Sequence, residues 1–174
     1  TLNASTKDLK KELQAQIDLA KSIGIKPTHI DSHEGALFFD QNIFKTYLEV
    51  GEENQLPVFV PSDVAVHFDK SFPKPENVVI VENFHMALPS LEFKDWNNYY
   101  INIIENLKPG LSEIIVHLGY DDKEMQQITV EHPNYGSKWR DLDMEVVSSE
   151  NFKQALKDNN IKLVTWREIK NIIY

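Results

Sequence analysis

The chain contains no cysteine, and this absence excludes thiol nucleophiles, CxxC redox pairs and cysteine-rich zinc sites. It also has no apolar run near the ~18 residues that a membrane-spanning helix needs. Basic residues are scarce, because 18 Lys and Arg face 27 Asp and Glu and leave a net charge of −9. Proteins that hold nucleic acid through its phosphates need a clustered basic face. We therefore expect neither a nucleic-acid nor a membrane partner.

The chain has 174 residues, of which 41% are hydrophobic. A chain of this length can bury about 70% of the surface that it exposes when unfolded, so it can form a core without disulfides. We predict a single domain over residues 1–174. The lack of cysteine does not fix the compartment. We favour the cytoplasm, and export stays open if a leader lies upstream of Thr1.

The spacing of apolar residues predicts alternating helices and strands. Most of the predicted strands are apolar without alternation, which is typical of parallel sheets covered on both faces. The prediction is an α/β fold made of βα units, and an open doubly wound parallel sheet is the alternative. The helices are predicted at about 5–23, 40–54, 90–107, around Phe152 and Leu156, and after a capping box at 165–168. The strands are predicted at 28–31, 56–60, 78–81, 113–117 and 162–164, with loops at 62–75 and 119–138.

Polar side chains follow several of the predicted strands. Asp31 and His33 come after the first strand, Glu82 after the third, and His117 closes the fourth. In parallel α/β folds, catalytic groups collect at the carboxyl ends of the strands, and neutral imidazole is a common ligand for divalent ions. Spacing alone leaves two alternatives for His33 and His117, which are metal ligands or hydrogen-bonded structural residues.

Several familiar motifs are absent from the sequence. It contains no GxGxxG, Walker-type, GxSxG or HExxH pattern. Dinucleotide-binding, P-loop, α/β-hydrolase and zincin functions therefore have no local support.

Three segments carry a more specific pattern. Residues 13–17 read LQAQI and lead through GIKP at 24–27 to THIDSH at 28–33. Residues 110–117 read GLSEIIVH, and the last segments are WRDL at 139–142, SENF at 149–152 and IKLVTWR at 161–167. Together they resemble the signature of the YdjC-type carbohydrate deacetylases, also called chitooligosaccharide deacetylase-like proteins. The resemblance covers almost the whole chain.

The resemblance implies a distorted (β/α) TIM-like barrel that removes acetyl groups from N-acetylated sugars or oligosaccharides with one divalent metal ion, Mg or Zn. It places the metal on His33 and His117 and on an Asp from an Asp-Asp motif near the start of the barrel. That motif is missing here, because Asp121-Asp122 follows the second ligand in the chain. We expect the third ligand and the catalytic base upstream of Thr1. Since a full barrel needs about 250 residues, this chain is predicted to be its C-terminal portion.

Two further residues are candidates for catalytic roles. Asp31 could orient His33 or assist the reaction, and Arg140 could bind the acetyl oxygen or orient a carboxylate. Other functions stay open, namely another barrel metallohydrolase such as a phosphoesterase, and a non-catalytic carbohydrate-binding or oligomerisation unit. The chain could also form a homodimer.

Overall fold

The structure is a computed structural model that describes residues 5–68, 74–132 and 134–174. It divides into two compact units. The first unit contains the described residues up to Glu82 together with Val164–Tyr174, and the second contains Asn83–Leu163. The single domain stays a prediction.

Four strands pair in parallel. In the first unit, β1 (Val58–Pro61) pairs with β2 (Val78–Val81), and Val58 lies opposite Val78. Ile30 adds one isolated parallel bridge to Val58. In the second unit, β3 (Asn83–Met86) pairs with β4 (Ser112–Ile115). The α/β class with parallel strands is confirmed. The strands of the described residues form two two-stranded sheets and no closed barrel, so the TIM-like barrel stays a prediction.

Seven α-helices are formed by the described residues. The first unit holds α1 (Thr6–Ser22), α2 (Gln41–Glu53) and α7 (Trp166–Ile173). The second unit holds α3 (Trp96–Asn106), α4 (Lys123–Ile128), α5 (Ser137–Ser148) and α6 (Glu150–Asp158). None of these helices is long and apolar enough to cross a bilayer.

The core of the first unit lies between α2 and the β1–β2 sheet. The side chain of Asp40 caps α2 by accepting the backbone N–H groups of Asn42 and Ile43. The apolar residues of the helix then face the sheet at helical spacing. The buried members of this cluster are Leu37, Phe44, Tyr47, Leu48, Val58, Val60 and Val78.

The core of the second unit is built on α3. One face of this helix packs against α5 and α6. The buried residues of this cluster are Ala87, Trp96, Tyr100, Ile103, Ile104, Trp139, Val146 and Phe152. The predicted helix at 90–107 begins later, at Trp96, after a short 3-10 turn at Phe93–Asp95.

Several predicted strands differ from the observed ones. The predicted strand at 162–164 is not formed, and Leu163 and Val164 are 75% and 44% exposed. The predicted strand at 28–31 is reduced to the bridge at Ile30, and the fourth strand is half-buried and ends at Ile115 rather than His117. An apolar run becomes a strand only where a neighbouring strand meets it, and a one-dimensional pattern does not report this.

The two predicted loops also contain structure. The loop at 62–75 includes a 3-10 turn at Val64–His67, and its residues 69–73 lie outside the described residues. The loop at 119–138 contains α4 and the first two residues of α5, and the side chain of Asp122 caps α4. Strand β3 follows β2 after a single residue and was not predicted.

Gly51 provides a test of how closely α2 approaches the sheet. A Cβ atom at Gly51 would overlap the Val58 side chain and lie 3.1 Å from the Leu56 carbonyl oxygen. Replacing Gly by Ala inside a helix usually stabilises it by about 1 kcal/mol. Here we expect Gly51→Ala to lower the free energy of unfolding by roughly 1–3 kcal/mol, because the added methyl overpacks the core. Denaturant unfolding measures the change.

Lys45→Ala is the matched control, since Lys45 is exposed on the same helix. It should change the free energy of unfolding by no more than about 0.5 kcal/mol. A Gly51→Ala variant that is more stable than the parent would show that α2 can move away from β1.

Candidate active site

The first candidate segment begins at Ile30, whose backbone is held on both sides. The N–H of Ile30 donates to the carbonyl of Pro57 at 3.0 Å, and its carbonyl accepts from the N–H of Phe59 at 3.2 Å. The buried hydroxyl of Tyr47 donates to the same Ile30 carbonyl at 2.8 Å. These bonds fix the chain one residue before Asp31.

Asp31 and Ser32 shape the turn that carries His33. The Oδ1 atom of Asp31 accepts the backbone N–H of Ser32 at 2.6 Å. Ser32 is buried, and its hydroxyl oxygen accepts the N–H of Leu37 at 2.8 Å. A 3-10 turn at His33–Gly35 follows, in which Gly35 has a φ of 68° that favours glycine. His33 and Asp31 are therefore exposed on a loop whose backbone is fixed from within.

His29 lies four residues before His33 and packs against the last helix. Its ring stacks on Trp166 with ring centroids 4.2 Å apart and planes 7° from parallel. The hydroxyl of Thr28 lies 3.0 Å from Nδ1. Burial lowers the pKa of His29, and the nearby Asp31 charge opposes this shift. These contacts give His29 a packing role in the first unit.

The second candidate segment is the carboxyl end of β4. The backbone N–H of His117 donates to Oδ2 of Asp143 at 2.8 Å. The other carboxylate oxygen, Oδ1, accepts from Nε1 of Trp96 at 2.8 Å and from the hydroxyl of Tyr100 at 2.6 Å. Asp143 is completely buried. Burial and the hydrogen bond to Asp143 raise the pKa of Tyr100 above its ordinary value.

The ring of His117 contacts Tyr135. Their ring centroids are 4.7 Å apart and the planes are inclined by 48°. Tyr135 has a φ of 62°, in the left-handed region, and its carbonyl accepts from Nε of Arg140 at 2.8 Å. Its ring also lies 4.5 Å from that of the buried Trp139. Arg140 and His117 therefore both contact Tyr135.

The structure places the four predicted site residues in two pairs. Asp31 and His33 share one loop of the first unit, and His117 and Arg140 both contact Tyr135 in the second. Asp143 was not predicted. Its signal in the sequence is a carboxylate on the apolar side of α5, at helical spacing from the buried Trp139 and Val146.

His33 lies in the first unit and His117 in the second. Each unit supplies one of the two expected imidazole ligands, so neither unit alone holds both. In the part of the chain that the structure describes, no group of three or more His, Asp or Glu side chains could hold a metal ion. Catalytic zinc sites usually have three protein ligands. The described residues therefore show no complete metal site, and the metal ion stays a prediction.

Comparison with known proteins decides the family. The family model described as YdjC-like protein matches residues 1–158. The chain belongs to the YdjC-like family. This confirms the resemblance that the THIDSH and EIIVH segments indicated.

Curated relatives of this YdjC-like chain share about a quarter of its residues. A carbohydrate deacetylase of Thermoanaerobacter pseudethanolicus is 26% identical over 97% of this chain, and one of Clostridium beijerinckii is 24% identical over 96%. The chain spans only 62% and 63% of the lengths of these two relatives. A solved structure from Enterococcus faecalis V583, whose name proposes a role in cellobiose-phosphate cleavage, shares the fold. It has a TM-score of 0.69 and 17% identity, over 95% of this chain and 62% of the other.

The environment of His29 predicts a pH-dependent stability. Because its pKa is lowered in the folded state, the unfolded chain takes up the proton first as the pH falls through about 6.5. Above that pH, His29 is neutral in both states and contributes no pH dependence. We expect the free energy of unfolding of the parent to decrease relative to that of His29→Phe between pH 8 and pH 5.5. Phe keeps an aromatic ring on Trp166 but cannot be protonated.

Denaturant unfolding at the two pH values measures the difference, and His132→Phe is the control at an exposed histidine of the second unit. Equal pH dependence of the parent and His29→Phe would show that His29 is solvated enough to titrate as it does in the unfolded chain.

Proposed function

We propose that this YdjC-like chain catalyses the metal-dependent hydrolysis of acetamido groups on N-acetylated sugars or oligosaccharides. The observation that carries the proposal is the name carbohydrate deacetylase, which three curated relatives share over 96–97% of this chain. The proposal includes the fold expected from the sequence, a distorted (β/α) barrel to which the described parallel strands belong. The similarity of fold to the Enterococcus faecalis protein supports this part.

His33 and His117 are the proposed ligands of one divalent ion, Mg or Zn. Both follow strand-like segments, where parallel α/β folds collect their functional groups. The turn before His33 is held by the bond from the Ser32 N–H to Asp31, and the backbone N–H of His117 donates to Asp143. A bound ion supplies polarisation of the amide carbonyl and activation of water. A third ligand beyond these two histidines completes the usual set.

Asp31 and Arg140 are proposed to act on the reacting groups. In the reaction, water adds to the acetyl carbonyl, the C–N bond breaks, and the amine leaves with a proton. Asp31 is exposed and lies two residues from His33, so its carboxylate can orient that imidazole or assist the reaction. The Nε of Arg140 is engaged by the Tyr135 carbonyl. Its terminal nitrogens are the part of the side chain proposed to bind the acetyl oxygen.

Metal binding and acetate release together test the proposal. We expect the zinc-loaded protein to release acetate from diacetylchitobiose. His33→Ala and His117→Ala should each weaken zinc binding at least about tenfold, a loss of about 1.4 kcal/mol, and should remove most of the acetate release. Equilibrium dialysis and an acetate assay are the measurements. His132→Ala is the matched control, because this histidine is exposed and lies outside the proposed site.

The other outcomes separate the alternative functions. Unchanged zinc binding in both histidine variants would overturn the metal assignment. Binding of diacetylchitobiose without acetate release at saturating zinc would favour a non-catalytic carbohydrate-binding unit. Release of phosphate from a sugar phosphate, without acetate release, would favour another metallohydrolase.

A further inference from the structure

We infer that Asp143 is a positioning residue for His117. It holds the histidine through the backbone, with one carboxylate oxygen on the His117 N–H and the other anchored by Trp96 and Tyr100. The inference rests on the proposed function, because in that function His117, which Asp143 positions, is a metal ligand. Asp143 itself is completely buried and touches no substrate.

Burying the Asp143 carboxylate in an apolar core costs free energy. Asp143 lies on α5 between Trp139 and Val146, which are part of the apolar cluster of the second unit. A buried charge is unfavourable unless hydrogen bonds satisfy it, and an apolar side chain of similar volume often serves stability as well or better. Three donors satisfy Asp143. Two of them are core side chains, and the third is the N–H of His117.

Asp143 binds the chain just beyond the end of β4. The pairing of β4 with β3 ends at Ile115, opposite Met86. His117 lies two residues further on, and its part-buried backbone N–H needs another acceptor. Asp143 supplies it from 26 positions away in the sequence. The carboxylate therefore extends the fixed part of the backbone past the end of the sheet, as far as His117.

The imidazole of His117 is also oriented by residues that α5 holds. The ring of His117 contacts Tyr135, which limits its rotation from one side. Arg140 holds the Tyr135 carbonyl, and Arg140 lies on the same helix as Asp143, three residues earlier. Helix α5 thus acts on His117 twice, through Asp143 on the backbone and through Arg140 and Tyr135 on the ring.

The test uses the isosteric variant Asp143→Asn. Its amide oxygen can keep the bonds from Trp96 and Tyr100, and its NH2 group then faces the N–H of His117, donor against donor. The matched control is Tyr100→Phe, which removes one bond to Oδ1 and leaves the bond between Asp143 and His117 in place. Both variants disturb the same buried network, and only the first breaks the contact with His117.

Two measurements are made on the protein and its variants. The first is hydrogen exchange of the His117 amide by NMR, which needs no activity. We expect exchange at least about tenfold faster in Asp143→Asn and nearly unchanged in Tyr100→Phe. The second is zinc affinity by competition with a chelator. It should fall about tenfold or more in Asp143→Asn and less than about threefold in Tyr100→Phe.

The outcomes distinguish this inference from the proposed function. If His117→Ala abolishes zinc binding while Asp143→Asn leaves it unchanged, the positioning role is wrong and the metal assignment stands. If His117→Ala has no effect on zinc binding, the proposed function itself fails. Should Asp143→Asn not fold, scalar coupling across the hydrogen bond, between the His117 amide nitrogen and the Asp143 carboxyl carbon, is measured in the parent. Absence of this coupling overturns the inference, and its presence supports it.

Discussion

Both two-stranded sheets are parallel, and a parallel pair forms only when a crossover segment returns the chain to the end where the first strand began. In the first unit, α2 returns the chain from the bridge at Ile30 to β1, and in the second unit α3 returns it from β3 to β4. Each crossover helix then covers its sheet, which accounts for the two buried clusters. The residues that follow a strand, including Asp31 and His117, are consequently held at the carboxyl edge of their own sheet.

Near each histidine of the proposed site, a carboxylate accepts a backbone N–H group. The bond from Ser32 to Asp31 is local, between adjacent residues of an exposed turn. The bond from His117 to Asp143 is distant in sequence and lies in a core. The local bond forms wherever the turn forms, whereas the distant one requires α5 to be docked first. The geometry at His117 is thereby tied to the packing of the second unit.

Local signals in the sequence were sufficient to predict most helices and one strand. Thr165 caps the last helix within the capping box predicted at 165–168, and the run at 78–81 is a strand over the predicted residues. Pairing and burial of polar groups were not predictable in this way, because they depend on residues far apart in the chain. This is why 162–164 was predicted to be a strand and Asp143 was overlooked. The resemblance to the family singled out His33 and His117, and no local pattern distinguished them from structural histidines.

The family model matches the chain as far as residue 158. The first unit also includes the later residues Val164–Tyr174. Trp166 covers His29, and the side chains of Arg167 and Lys170 reach the carbonyls of Lys26 and Pro27. The last helix therefore packs against the segment at the start of the THIDSH sequence and just before it. Removal of residues 166–173 would therefore act on the surroundings of His33, although these residues lie far from His33 in the sequence.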